Sequence, residues 1–265
     1  SVTEEMPASP TVTVTPSATA TPLPTSTPMP AALWIDPAAP LALVKALDGW
    51  RIPRTKEMAR ATVRLSVASL GEEQSKWIYA LVAPFPTLVD NVSIADVLHA
   101  WQGAPTGYFA GRPLWMSEST RAAFSAVLGK PAAGSVRTVS ADELVDAAWA
   151  DLPAWGIVPF EEIQPKWKVL SVEGQSPIHK DFDLSAYPLQ VGFSLDGANA
   201  FTGNLPATNR DASKLTTVIL TGTTAMVDAM GVVMERKGPT YPGLGIRDWM
   251  RQADIAHVSN EVPFD

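Results

Sequence analysis

The sequence has no cysteine and only three histidines, His99, His179 and His257. Without thiols there is no thiolate nucleophile, no Cys-ligated zinc or iron–sulfur site and, in this chain, no lipid-bearing cysteine, which leaves the compartment open. The histidines are far apart and none stands in an H-x-x-x-H or H-E-x-x-H spacing, which excludes a zinc centre built on such a pair. Positive charge is also scarce. Lys and Arg number 20 against 27 Asp and Glu, for a net charge of -7, and no basic stripe is present. A nucleic-acid partner is excluded on that ground, because phosphate backbones are neutralised by clustered cations. No apolar run approaches the ~18 residues that cross a bilayer, and no charged-then-apolar leader opens the chain. Its first residue is Ser rather than Met, which leads us to expect a chain processed or cut from something longer. The G-x-S-x-G elbow and the G-x-x-x-x-G-K-[ST] loop are missing, and with them the serine-hydrolase and nucleotide-hydrolase readings.

What is present divides the chain. A hydrophobic content of 46% with 18% charged residues is that of a folded protein. Seven of the 24 prolines fall before Ala31, in a Thr/Ser/Pro tract with almost no large apolar side chain. Such a tract cannot build a core and favours extended backbone, so residues 1–40 are expected to be a disordered tether to the cell envelope. Residues 41–198 show short apolar runs separated by helical periodicity, an α/β pattern. Ile78 to Ala83, Arg112 to Met116, Trp155 to Phe160 and Trp167 to Val172 read as strands. Leu189, Val191, Phe193 and Leu195 alternate with Gln190, Gly192 and Ser194, predicting a strand with one wet face. Helices are predicted after Ser93, after Ser117 or Ser119 with Phe124, Val127 and Leu128 buried, and from the Ser140/Glu143 box through Trp149. Residues 199–214 are polar and read as a linker. Residues 215–265 give a β-α-α-β unit whose strands would pair in parallel with both faces uncovered, as in the opening of a larger domain.

Among the acidic groups, Glu161 and Glu162 follow a strand and could be a general acid and base, but adjacent carboxylates after a strand are more often solvated, and they are read as such. The segment Ser117-Glu118-Ser119-Thr120-Arg121 is more pointed, because a hydroxyl-rich strand-to-helix junction offers free backbone N–H groups to an anion. It is similar to the Ser-Gly-Thr-x-x-x-Phe junction of phosphate-type periplasmic substrate-binding proteins, with Thr120, Arg121 and Phe124 in matching places. Trp155 to Pro177 resembles that family's later strand and its Gly-x-Ser-Pro turn, and Tyr187-Pro188-Leu189 its strand entry. The resemblance implies a mixed sheet with flanking helices and a ligand site at Ser119, Thr120 and Arg121. The chain departs from the pattern at Glu118-Ser119, where the family has Ser-Gly, and a carboxylate there would repel phosphate.

Thr217 to Phe264 resembles the start of the CapA family of capsule and poly-γ-glutamate synthesis proteins, which have a calcineurin-like metallophosphoesterase fold. The likeness rests on Leu220-Thr221-Gly222-Thr223 and on Ala253-Asp254-Ile255 running to Asn260-Glu261-Val262-Pro263. It implies a role in synthesis or attachment of an anionic surface polymer, with a divalent metal such as manganese in a full-length form and Glu261 near that metal. Thr223 stands where the family's first Asp is expected, so no cofactor and no catalysis are expected of this chain alone. The whole then reads as an extracytoplasmic bacterial protein, cell-surface or secreted: a substrate-binding-protein-like domain followed by an incomplete metallophosphoesterase-like unit. The alternative is a non-enzymatic module that binds a small solute or serves as a scaffold.

Overall fold

The computed structural model describes residues 31–197 and 204–261. The tether expected over residues 1–30, the first part of the linker and the chain after Glu261 lie outside the described residues. The fold begins earlier than residue 41. Strand β1 (Leu33–Ile35) pairs in parallel with β2 (Val63–Val67), and Leu33 is buried, so the apolar Leu-Trp-Ile triplet inside the expected tether is a strand of the sheet.

The centre is β3 (Ser75–Pro84), whose continuous apolar run is explained by cover on both faces. Trp77, Tyr79, Leu81 and Ala83 face the larger core. There they meet α2 (Ile94–Trp101) through Val97, Ala100 and Trp101, and α3 (Glu118–Leu128) through Ala123 and Phe124. Ala80 and Val82 point the other way, into a smaller core under α4 (Leu144–Ala150) with Leu144, Val145 and Ala148. One edge of β3 carries β9 (Gln190–Asp196) and then β8 (Trp167–Val172), both antiparallel to it. Along the other edge runs β7 (Trp155–Pro159), followed by β5 (Leu114–Met116) and β6 (Val136–Thr138), mutually parallel. The short β4 (Asn91–Val92) joins β8, and α1 (Leu41–Ala46) follows β1. The result is a mixed α/β sheet with flanking helices, the fold class expected.

Several details differ from expectation. The apolar set of β9 enters the larger core, but its other face is not wet: Ser194 is buried and Gln190 and Gly192 are half-buried, because the Glu73 side chain lies over Gly192. The buried face of α3 is Thr120, Ala123 and Phe124, while Val127 and Leu128 in the last turn are exposed. Helix α4 starts at Leu144 rather than at the Ser140 box, because the Ser140 hydroxyl bonds the Glu143 carboxylate and not a backbone N–H.

Residues 204–211 are not a free linker either. Lys76 N–H donates to the Ala207 carbonyl, and the Asn209 side chain pairs with both backbone groups of Ile78, accepting from N–H and donating to C=O at 2.8 Å each. An amide side chain thus closes the edge of β3 where β7 has not yet begun, satisfying backbone groups that would otherwise be left open. Arg210 donates to the carbonyls of Pro177 and His179 and lies over the Phe182 ring.

Beyond this strap, β10 (Val218–Thr224) and β11 (Ile255–Asn260) form a two-stranded parallel sheet, with α5 (Ala229–Lys237) and α6 (Arg247–Gln252) between them in sequence. That is the expected β-α-α-β order. Among the described residues no side chain after Leu195 is buried. No helix of the described residues is long and apolar enough to cross a membrane.

Candidate functional site

Strands β5, β6 and β7 run in parallel, so their carboxyl ends open on one side of the sheet, where α/β folds place their ligands. The loops there enclose a cleft of about 390 Å³. The end of β5 supplies Ser117, Glu118 and Ser119, the end of β6 supplies Thr138, Val139, Ser140 and Ala141, and the turn after β7 supplies Glu162. Leu41, at the start of α1, closes the wall.

Ser117 is the N-cap of α3. Its Oγ accepts from the Thr120 N–H at 3.3 Å and shares hydrogen bonds with the hydroxyls of Thr120 at 2.9 Å and Ser119 at 3.1 Å. The three predicted ligand residues therefore separate. Ser119 lines the cleft, whereas Thr120 is 1% exposed and spends its hydroxyl on Ser117. Arg121 turns its guanidinium to Glu118: Nε donates to Oε2 at 2.9 Å and Nη2 to Oε1. This pair, with a contribution from Thr138, holds the Glu118 carboxyl below the usual range. A carboxylate in the first turn also suits the positive end of the helix. The anion at this N-terminus is thus the protein's own.

Sequence reasoning missed Glu162, which it took for a solvated group. It is half-buried in the cleft wall and makes no hydrogen bond or ion pair among the described residues. Loss of water around it, with the neighbouring Glu161 charge second, pushes its carboxyl up to about 7. Glu161 points elsewhere: Trp77 Nε1 donates to its Oε1 at 3.0 Å and Asn209 Nδ2 to its Oε2 at 2.6 Å. Desolvation raises its carboxyl despite these bonds. The usable signal was position, since Glu162 follows a strand parallel to the one that leads into Ser117.

Glu261 stands just past β11, exposed, with its N–H on the Thr224 carbonyl. Thr223 pairs with Ser259 in the ladder. Asp254 is engaged by Lys180 Nζ at 2.6 Å and by the Thr217 N–H at 2.8 Å. Among the described residues no group of three or more His, Asp or Glu could hold a metal ion.

No family model matches the chain, and no curated protein matches it. Solved structures do. An ABC-type phosphate transport receptor from Vibrio cholerae superposes with a TM-score of 0.52 at 13% identity, over 64% of this chain and 89% of that one. PstS from Borrelia burgdorferi gives a TM-score of 0.41 at 12% identity, over 62% of this chain and 85% of that one. The likeness to the Vibrio receptor shows the fold, that of phosphate-type periplasmic substrate-binding proteins.

Proposed function

We propose that the chain is an extracytoplasmic, non-catalytic module that holds a small polar solute in the cleft at the carboxyl ends of β5, β6 and β7. The cleft itself carries this reading: hydroxyls of Ser117, Ser119, Thr138 and Ser140 and an unpartnered Glu162 carboxylate converge on one open cavity. The fold shared with the Vibrio phosphate receptor supports it, and the Thr/Ser/Pro tract before Ala31 supports a site outside the cytoplasm, tethered to the envelope. A thermal-shift screen of small polar solutes tests it, with Ser119→Trp filling the cleft. A solute that raises the melting temperature of the natural chain should lose its effect in Ser119→Trp. A shift of equal size in both places the solute elsewhere and rejects the reading.

The finer alternative is a CapA-type role in capsule or poly-γ-glutamate synthesis or attachment, acting on an anionic surface polymer with metal dependence in a full-length form. One observation supports it, the parallel β10–β11 pair joined through two helices. The absence of a matching family model and of a ready metal cluster among the described residues leaves the solute-binding reading with the better support.

A further inference from the structure

The cleft's chemistry narrows the class of solute, and the argument rests on the reading above. An inorganic oxyanion needs donors and positive charge. The guanidinium at the α3 junction, Arg121, is held by Glu118, and among the described residues no Lys or Arg lines the cavity. Two carboxylates, Glu118 and Glu162, line it instead. A divalent cation wants several hard oxygen or imidazole ligands, and no group of three acidic or imidazole side chains stands together among the described residues. A sugar ring binds most readily against an aromatic face, and Leu41, Val139 and Ala141 are the apolar members of the wall. What remains unmet is Glu162, a half-buried carboxylate with no donor among the described residues, in a lining it shares with hydroxyls that both give and accept hydrogen bonds.

We infer that the cleft selects a small protonated amine carrying a hydroxyl group, its ammonium on the Glu162 carboxylate and its hydroxyl among Ser117, Ser119 and Ser140. Charge and hydrogen bonding then act together, since an ammonium supplies the donors that Glu162 lacks and brings the cation that two carboxylates favour. The volume of about 390 Å³ leaves room for a small solute with a few waters.

Isothermal titration calorimetry tests this with ethanolamine, inorganic phosphate and glycerol as probes. The full chain is used at about pH 8, above the Glu162 range of about 7. Ethanolamine should bind saturably, and Glu162→Gln should weaken it by about tenfold or more, as expected for loss of a hydrogen bond to a charged group. Glu162→Gln is isosteric, and its circular dichroism spectrum checks the fold. If phosphate or glycerol binds, ethanolamine does not, and Ser119→Trp abolishes that binding, the inference falls and the solute-binding reading survives. If ethanolamine binds equally to the natural chain, Glu162→Gln and Ser119→Trp, the inference fails and the cleft is not its site. Silence of all three probes overturns the inference, and the wider thermal-shift screen then decides the reading.

Discussion

Adjacent glutamates with the same sequence neighbourhood have different surroundings here. Glu161 accepts two hydrogen bonds and ties Trp77 to Asn209, so it fixes the strap against β3. Glu162 has no such partner and faces the cleft, and its proton stays on to about 7 instead of the usual 4.5. The sign of the resulting pH effect follows from comparing folded and unfolded chains. In the unfolded chain Glu162 ionises from about 4.5, while the folded chain resists until about 7, so rising pH favours unfolding within that window. Its contribution to stability is full below 4.5, declines as pH rises and is gone above about 7. Gln is neutral at every pH. The melting temperature of Glu162→Gln relative to the natural chain should therefore increase from pH 4.5 to about 7 and level off beyond it. Calorimetric scans across that range check this, and a difference that does not vary with pH rejects the assignment. A second residue-scale constraint is Gly197, at φ 76°, where a Cβ would stand 2.0 Å from the Thr62 carbonyl oxygen. There both the backbone conformation and the space require glycine.

Two serine boxes that look alike in sequence behave differently as helix starts. Ser117 caps α3 through the Thr120 N–H, and its hydroxyl also satisfies the buried Thr120 hydroxyl. Ser140 turns its hydroxyl to the carboxylates of Glu143 and Asp142 rather than to a backbone N–H, all three residues being exposed, and α4 starts after it. Ser117→Ala should thus cost about 1–2 kcal/mol by urea denaturation, the range of a lost N-cap. Ser140→Ala should change stability by less than about 0.5 kcal/mol, as for an exposed polar substitution. Equal effects would show that the two hydroxyls do the same work. The same contrast explains how much of the fold could be read beforehand. Strands with a long apolar run or strict alternation, β3, β7, β8 and β9, were legible because burial writes itself into such patterns. The three-residue strands β1 and β6 were not: Leu33–Ile35 follows a Pro-rich tract, and Val136–Thr138 has one apolar residue. Their place comes from pairing with β2 and β5, which is a tertiary fact. Of the site, the α3 junction was legible as a hydroxyl-rich helix start. Glu162, Thr138 and Ser140 were not, because only the parallel order of β5, β6 and β7 brings them to one cleft.

At the scale of the whole molecule, apolar cover is unevenly distributed. Around β3 both sheet faces are packed, whereas β10 and β11 leave Leu220 73% and Ile255 54% exposed and α6 leaves Trp249 69% exposed. A parallel pair draws stability from layers on both faces, and two strands alone are marginal in water. The contacts that hold this region to the rest are polar and few among those described. Arg210 reaches the carbonyls of Pro177 and His179, and Lys180 pairs with Asp254 at the surface. An exposed ion pair contributes little, about 0–1 kcal/mol, so the β10–β11 region should open without unfolding of the main sheet. Native-state hydrogen exchange should then show amides of β3, β7 and β9 protected up to the global stability, and those of β10 and β11 exchanging at least about 100-fold faster. Lys180→Ala should leave this gap nearly unchanged. Protection of β10 and β11 equal to that of β3 would mean that the exposed apolar side chains are covered in solution by a further layer. The cleft at the carboxyl ends of β5, β6 and β7, lined by residues that lead out of the well-packed sheet, would keep its protection in either case.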